Sequence, residues 1–298
     1  MGSVFMKWND FDIEKINEVF YVVRQTMGGS NIGVCIKDNS ALIVDSGYSP
    51  KRSADLKRLL EENLDCQIEL LFNTHYHSDH TFGNQSFNCP ILSSEECKNT
   101  MQACLSSHWT SEEIAKAKEE DPELMEEWED LKITFPTMTF KDELSYDFKG
   151  IKILFQKLGG HSKDSSIAYF PEYKLLFSSD IVFGECYPTL LSIDCSPFEL
   201  IEALHKVIDM DAEIIIPGHG TTCPQDPNSD NKSMVRRLIE YWECLISECR
   251  KLVTSGLNDE RIQLILSSRC HLQMVPMNER KHQRNVESAL KFVREHPV

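Results

Sequence analysis

The chain has 298 residues, of which 41% are hydrophobic and 26% charged, and its formal net charge is −16 at pH 7. That length can bury a sizeable core, while the acidic balance, with no basic run longer than Arg236-Arg237, argues against a surface that tracks nucleic-acid phosphates. No run reaches the ~18 apolar residues of a membrane span, no N-terminal stretch resembles a leader, and Met6 removes the myristoylation start that Met1-Gly2-Ser3 suggests, so a soluble, cytoplasmic protein is expected.

Strands are predicted near Phe20 to Val23, Gly33 to Lys37 and Ala41 to Asp45, the last pair joined by an Asp38-Asn39-Ser40 turn. A helix follows Ser49-Pro50, with Leu56, Leu59, Leu60 and Leu64 on one stripe. Ile68 to Asn73, apolar apart from Glu69 and the closing Asn73, has buried-strand length, and at its end stands His75-Tyr76-His77-Ser78-Asp79-His80, four metal-capable side chains within six residues. His75 and His77 are two apart, so in near-extended backbone both imidazoles project to one side and can chelate one ion. Asp79 and His80 follow a turn and can face a second ion; nitrogen donors suit zinc or iron, and the carboxylate balances charge. Gly83-Asn84 opens a short helix over the site. An acidic helical insert, Ser94 to Leu131, follows, with a capping box at Thr110 and Glu113 and a restart at Pro122.

Three later strands deliver further candidates. Ile151 to Leu158 ends in Gly159-Gly160-His161-Ser162. Leu175 to Phe177, after a Pro171-Glu172-Tyr173-Lys174 turn, ends in Ser178-Ser179-Asp180, and Ile214 to Ile216 ends in Pro217-Gly218-His219-Gly220. Singly, His161, Asp180 and His219 read as loop or turn residues; their shared place after an apolar strand makes them ligand candidates, and the glycines fit a backbone that must approach a metal closely. Between the last two strands, Ser196-Pro197-Phe198-Glu199 caps a helix running to about Met210.

From about Lys232 the chain is helical, with Val235, Leu238, Ile239, Trp242 and Ile246 at helical spacing and a break at Ser255-Gly256. The best hinge candidate is Asp226 to Asn231. Ligands spread from residue 75 to residue 219 must converge, so residues 1–230 read as one catalytic domain and 231–298 as a helical extension packed on it, shaping the pocket mouth or covering the outer layer. The eleven cysteines are scattered without a CxxC pair, the usage of a reducing compartment, and read as small buried hydrophobes. Tyr187 is a candidate oxyanion donor, though a packing residue in a loop is its first reading, and His108 and Trp109 are candidate pocket residues that also read as packing residues.

Taken in order, Asp45 in Ile43-Val44-Asp45-Ser46-Gly47, His75-x-His77-x-Asp79-His80, His161, Asp180 and His219 resemble the five motifs of the metallo-β-lactamase superfamily, over roughly residues 15 to 225. The resemblance implies an α/β fold, an αββα four-layer sandwich of two mixed β-sheets, here with a helical insert and a helical C-terminal tail. It implies two divalent metal ions, zinc foremost with iron or manganese open: His75, His77 and His161 on the first, Asp79, His80 and His219 on the second, Asp180 bridging both, and Asp45 bracing the ligand loop from behind. Insert and tail resemble stand-alone metal-dependent hydrolases with a glyoxalase II or lactonase-like site. Several true β-lactamases of this fold carry a cysteine where Asp180 stands, which turns the reading away from that class.

The function expected is a dinuclear metal-dependent hydrolase in which a metal-bridging hydroxide cleaves a small ester, thioester or lactone, with Asp79 holding the second ion and taking the proton. The alternatives are a phosphodiesterase or nuclease, an iron-dependent redox enzyme, and a ligand-binding sensor; a side activity on β-lactams suits the same chemistry. No Lys/Arg arrangement near His219 is recognisable as a site for glutathione carboxylates. The partner expected is a small-molecule substrate, with no nucleic acid and no membrane; oligomeric state and substrate identity stay open.

Overall fold

Residues 4–8, 11–24, 29–190, 194–224, 230–272 and 275–296 are described by the computed structural model. Residues 226–229 of the hinge candidate, and Met1-Gly2-Ser3, lie outside them. The chain divides into two compact units, residues 1–157 with 166–173 and residues 158–165 with 174–298.

Unit one opens with strands β1 (Val4–Trp8), β2 (Phe11–Lys15), β3 (Phe20–Arg24), β4 (Ile32–Lys37) and β5 (Ser40–Val44). Asp38 and Asn39 both take positive φ, so β4 and β5 are joined by a two-residue hairpin whose twist matches the strands. Helix α1 (Pro50–Arg58) starts where the Ser49 hydroxyl accepts from Arg52 N at 3.1 Å, and it passes into a π turn over Leu59–Asn63. Leu56, Leu59 and Leu60 are buried as the stripe requires, but the π turn rotates the chain off register and leaves Leu64 exposed. Then come β6 (Gln67–Phe72), α2 (Ser78–Thr81) with a 3-10 turn over Phe82–Ser86, β7 (Ile91–Ser94), α3 (Glu95–Cys104), α4 (Ser111–Glu120), α5 (Pro122–Glu127) and β8 (Met138–Phe140). The eight strands form one mixed sheet in sequence order, antiparallel from β1 to β5 and parallel from β5 to β8. Strands β9 (Glu143–Phe148), β10 (Ile151–Lys157) and β11 (Ser166–Phe170) complete the unit as an antiparallel set of the second, five-stranded sheet.

The central strands of the first sheet, β4 to β7, are largely buried on both faces. Val34, Ile43, Ile68 and Leu71 pack under Leu56, Leu59 and Leu60 of α1 and its π turn. On the other side Phe72 meets Phe155 at 4.4 Å and Phe20 meets Phe170 at 4.7 Å between ring centres, so aromatic side chains of the two sheets interdigitate. Each fully buried phenylalanine of this kind contributes on the order of 1.5–3 kcal/mol.

Unit two holds β12 (Leu175–Gly184), α6 (Pro197–Asp209), β13 (Ile214–Gly220), α7 (Ser233–Thr254), α8 (Asp259–Leu266) and α9 (Glu279–Glu295). β12 and β13 pair in parallel, α6 and α7 pack on β12, and α9 packs on α7. The strand expected to end at Phe177 runs on to Gly184 because Ile181-Val182-Phe183 resumes the apolar pattern; Asp180 therefore lies inside a strand, and so does His219. Among the described cysteines, Cys244 of α7 is joined to Cys270 by a disulfide, which corrects the reading of all of them as unpaired hydrophobes. Among the described residues no helix is long and apolar enough to cross a membrane.

Candidate metal centre

In unit one the ligand-rich loop leaves the C-terminal end of β6 and turns into α2. Asp45 accepts from Thr74 N (2.8 Å) through Oδ1, and from the Thr74 hydroxyl (2.8 Å) and His80 Nδ1 (2.7 Å) through Oδ2. It takes φ of 63°, a left-handed conformation that Asp and Asn tolerate better than most residues. Burial pushes its carboxyl up, while the His80 and Thr74 donors pull the other way. The hydroxyl of Ser46 and the carboxamide of Asn73 donate to the His80 carbonyl, Thr81 Oγ1 donates to the carbonyls of Tyr76 and His77, and the Ser30 hydroxyl donates to that of Asp79.

These bonds assign the imidazole tautomers. Thr74 Oγ1 gives its proton to Asp45 and so accepts from His75 Nδ1 at 3.1 Å, while His80 Nδ1 donates to Asp45; both rings are left with Nε2 as a lone pair. His75 Nε2 faces His77 Nδ1 at 2.9 Å, a separation at which two ring nitrogens must share a proton or a cation. His80 Nε2 stands 3.5 Å from Asp79 Oδ2.

Unit two presents the other candidates on three segments. Gly159 and Gly160, at φ of 74° and 100°, carry the chain from β10 to His161; a Cβ on Gly160 would lie 2.5 Å from the Leu200 Cα, so that glycine admits the backbone of α6. Ser179 at φ of 55°, with a register shift on either side, kinks β12 at Asp180. Gly218 admits the Asp180 carboxylate itself: an added Cβ would meet Oδ1 at 1.9 Å. Asp180 Oδ2 lies 3.4 Å from His161 Nε2 and 3.4 Å from His219 Nε2.

The donor set suits divalent metal ions. Ligand atoms at the corners of a tetrahedron with 2.0–2.1 Å bonds are about 3.3 Å apart, too long for a good hydrogen bond. The His161–Asp180, His219–Asp180 and His80–Asp79 separations of 3.4, 3.4 and 3.5 Å match that edge. His75, His77, Asp79 and His80 in unit one, and His161, Asp180 and His219 in unit two, all count among the side chains that could hold a metal ion.

Each of the three pocket candidates has its own setting. Tyr187 is buried in unit two, where its hydroxyl accepts from Leu272 N at 3.4 Å and meets His282 Nδ1 at 3.2 Å, so it is engaged with the C-terminal helices. Trp109 is buried against Phe82 and Tyr76, propping the ligand loop from the insert, and His108 is exposed. Thr74, which orders the His75 imidazole, is a functional residue that the sequence alone does not single out, although its place directly before His75 is a usable signal.

Comparison with known proteins agrees with this architecture. Residues 26–88 match the family model described as metallo-beta-lactamase superfamily. The chain is 23% identical over 210 residues to a linear primary-alkylsulfatase of Pseudomonas sp. (strain ATCC 19151), covering 60% of this chain and 39% of that protein. It is 24% identical over 230 residues to a beta-lactamase-like protein 2 homolog of Caenorhabditis elegans, covering 76% of this chain and 65% of that one; the chain thus spans only part of the curated relatives it matches. Among solved structures, a metallo-beta-lactamase from Pontibacter korlensis aligns with a TM-score of 0.60 at 17% identity, over 78% of this chain and 99% of that one. The sec-alkylsulfatase Pisa1 from Pseudomonas sp. aligns with a TM-score of 0.73 at 12% identity, over 95% of this chain and 50% of that one. The chain has the metallo-beta-lactamase fold, an α/β sandwich of two mixed sheets, and carries that superfamily's sequence signature at residues 26–88.

Proposed function

We propose that the protein is a hydrolase holding two divalent metal ions, most simply zinc, and that it cleaves a small ester, thioester or lactone. One observation carries the reading: a single oxygen of Asp180 faces His161 and His219 at ligand-to-ligand distance, which supports a carboxylate that would be shared between two cations. His75, His77 and His161 would serve one ion, Asp79, His80 and His219 the other, and Asp180 both. When bound, such ions supply a hydroxide nucleophile near neutral pH and polarise the acyl oxygen. Asp45 fixes the His75 tautomer through Thr74 and the His80 tautomer directly, so that Nε2 of each carries the lone pair that could ligate. Asp79, more exposed than Asp45 or Asp180, would take the proton released as the nucleophile attacks.

A second reading, hydrolysis of an alkyl sulfate ester, is favoured by the sequence and fold likeness to two alkylsulfatases. The test is turnover by the metal-reconstituted protein on ester, thioester, lactone, β-lactam, alkyl sulfate and bis-p-nitrophenyl phosphate, each with a chelated control. Chelator-sensitive cleavage of a carbonyl substrate supports the first reading, and cleavage of the sulfate alone selects the second. Silence on the whole panel refutes both.

A further inference from the structure

In unit two, α9 carries Lys281 to the strands that bear the ligands. Its ammonium donates to the Tyr187 carbonyl at 3.1 Å and lies 5.9 Å from the centre of the Phe183 ring. Phe183 is itself stacked on His219, with centres 5.7 Å apart and planes within 6°, and its centre is 6.0 Å from that of His161. One aromatic ring therefore contacts two candidate metal ligands and an ammonium.

Lys281 is half-buried and makes no ion pair among the described residues; Glu185 is committed to Arg237 at 3.2 Å. An ammonium has three donors, and the Tyr187 carbonyl uses one. The helix that presents it is fixed. His282 Nε2 donates to the Leu266 carbonyl at 2.9 Å, its Nδ1 lies 3.2 Å from the Tyr187 hydroxyl and 3.0 Å from that of Tyr241, and Asn285 accepts from Leu190 N while donating to the Pro188 carbonyl and the Tyr241 hydroxyl. A cation held ready with donors to spare recognises an anion at little cost in ordering.

We propose that Lys281 binds an oxyanion of the substrate, a carboxylate or a sulfate, so that the protein selects acidic over neutral substrates. This rests on the hydrolase reading for its setting, and it names the substrate class that reading leaves open. A lysine that merely braced the Tyr187 carbonyl would affect stability without altering charge selectivity.

The experiment is equilibrium binding of phenylacetate, phenyl sulfate and neutral phenylacetamide to the metal-loaded protein by calorimetry, for the wild type and for Lys281→Met, Lys281→Arg and the exposed Lys291→Met as control. A charge-assisted hydrogen bond at a half-buried site predicts that the anion-to-neutral affinity ratio falls about tenfold in Lys281→Met, is largely kept in Lys281→Arg and is untouched in Lys291→Met. Whichever of phenylacetate and phenyl sulfate loses more affinity identifies the preferred oxyanion. An unchanged ratio in a folded Lys281→Met, or no preference for anions in the wild type, overturns the proposal. If Lys281→Met does not fold, the ratio in Lys281→Arg decides: retention supports a recognised charge, and loss overturns it. A Lys281-dependent ratio without chelator-sensitive turnover sinks the hydrolase reading alone, and turnover with a Lys281-independent ratio sinks this one alone.

Discussion

Replacing Asp45 separates bracing from ligation. In Asp45→Ala the Thr74 amide, the Thr74 hydroxyl and His80 Nδ1 lose their acceptor, and Thr74 and His80 are both buried. Leaving such donors unsatisfied beside a deleted buried charge costs about 3–5 kcal/mol. Asp45→Asn keeps the shape and suits the positive φ, but one acceptor becomes an amide donor. With that nitrogen toward His80, Nδ1 must accept, the imidazole proton moves to Nε2, and the atom that faces Asp79 can no longer ligate. The Asn variant should therefore lose only about 1.5–3 kcal/mol, yet fall from two equivalents of tightly held metal to one. Urea denaturation of the chelated proteins gives the first quantity, and metal analysis after gel filtration gives the second. Two full equivalents of metal together with wild-type stability in Asp45→Asn would refute the tautomer chain.

Gly218→Ala places a Cβ 1.9 Å from Asp180 Oδ1 and 2.9 Å from its amide nitrogen, so it should displace the carboxylate, cost about 1–3 kcal/mol and deplete bound metal; a variant with full metal content contradicts the close approach. Burial lowers the His282 pKa below its ordinary 6.5, so the unfolded chain binds that proton more readily, and the His282 contribution, complete above pH 6.5, is lost as pH falls below it. His282→Gln should flatten that part of the stability–pH curve, and an identical slope in the variant counts against the buried neutral imidazole. Opening the Cys244–Cys270 bridge, across a sequence separation of 26, should destabilise unit two by about 3 kcal/mol and release two thiols beyond those titrated in denaturant without reductant; no gain in thiols disproves the bridge.

What the sequence discloses depends on how local the physics is. The loop His75–His80 is legible because chelation demands several donors within a few residues, and α1 and α6 are legible because serine caps with proline at the first helical position act within one turn. β9 is hard to read because Glu143 to Asp147 are exposed or half-buried and only Phe148 is buried, too weak an apolar alternation, and β12 reads short because Ser178, Ser179 and Asp180 interrupt the apolar run of a strand that is buried throughout. The glycines are legible as points of close approach, and the protein atoms that crowd them are long-range neighbours: at 160 they belong to α6, and at 218 to Asp180. Tyr187 drew attention through its nearness in sequence to Asp180, whereas its hydroxyl answers to His282, 95 residues away, a pairing that no local pattern encodes.

Charge is the instructive case. A formal −16 describes the whole chain and bears on solubility and long-range steering, but exposed charges farther apart than about 8 Å are largely screened at physiological salt. Recognition at a site is decided inside that radius, by which charges the fold brings there and which it leaves uncompensated. Lys281 enters from α9, 62 residues beyond His219, through a helix held by His282 and Asn285, and the neighbouring Glu185 is turned to Arg237. An acidic composition therefore disfavours extended phosphate tracking without disfavouring a small acidic substrate, because the first needs many cations in a row and the second needs one in the right place.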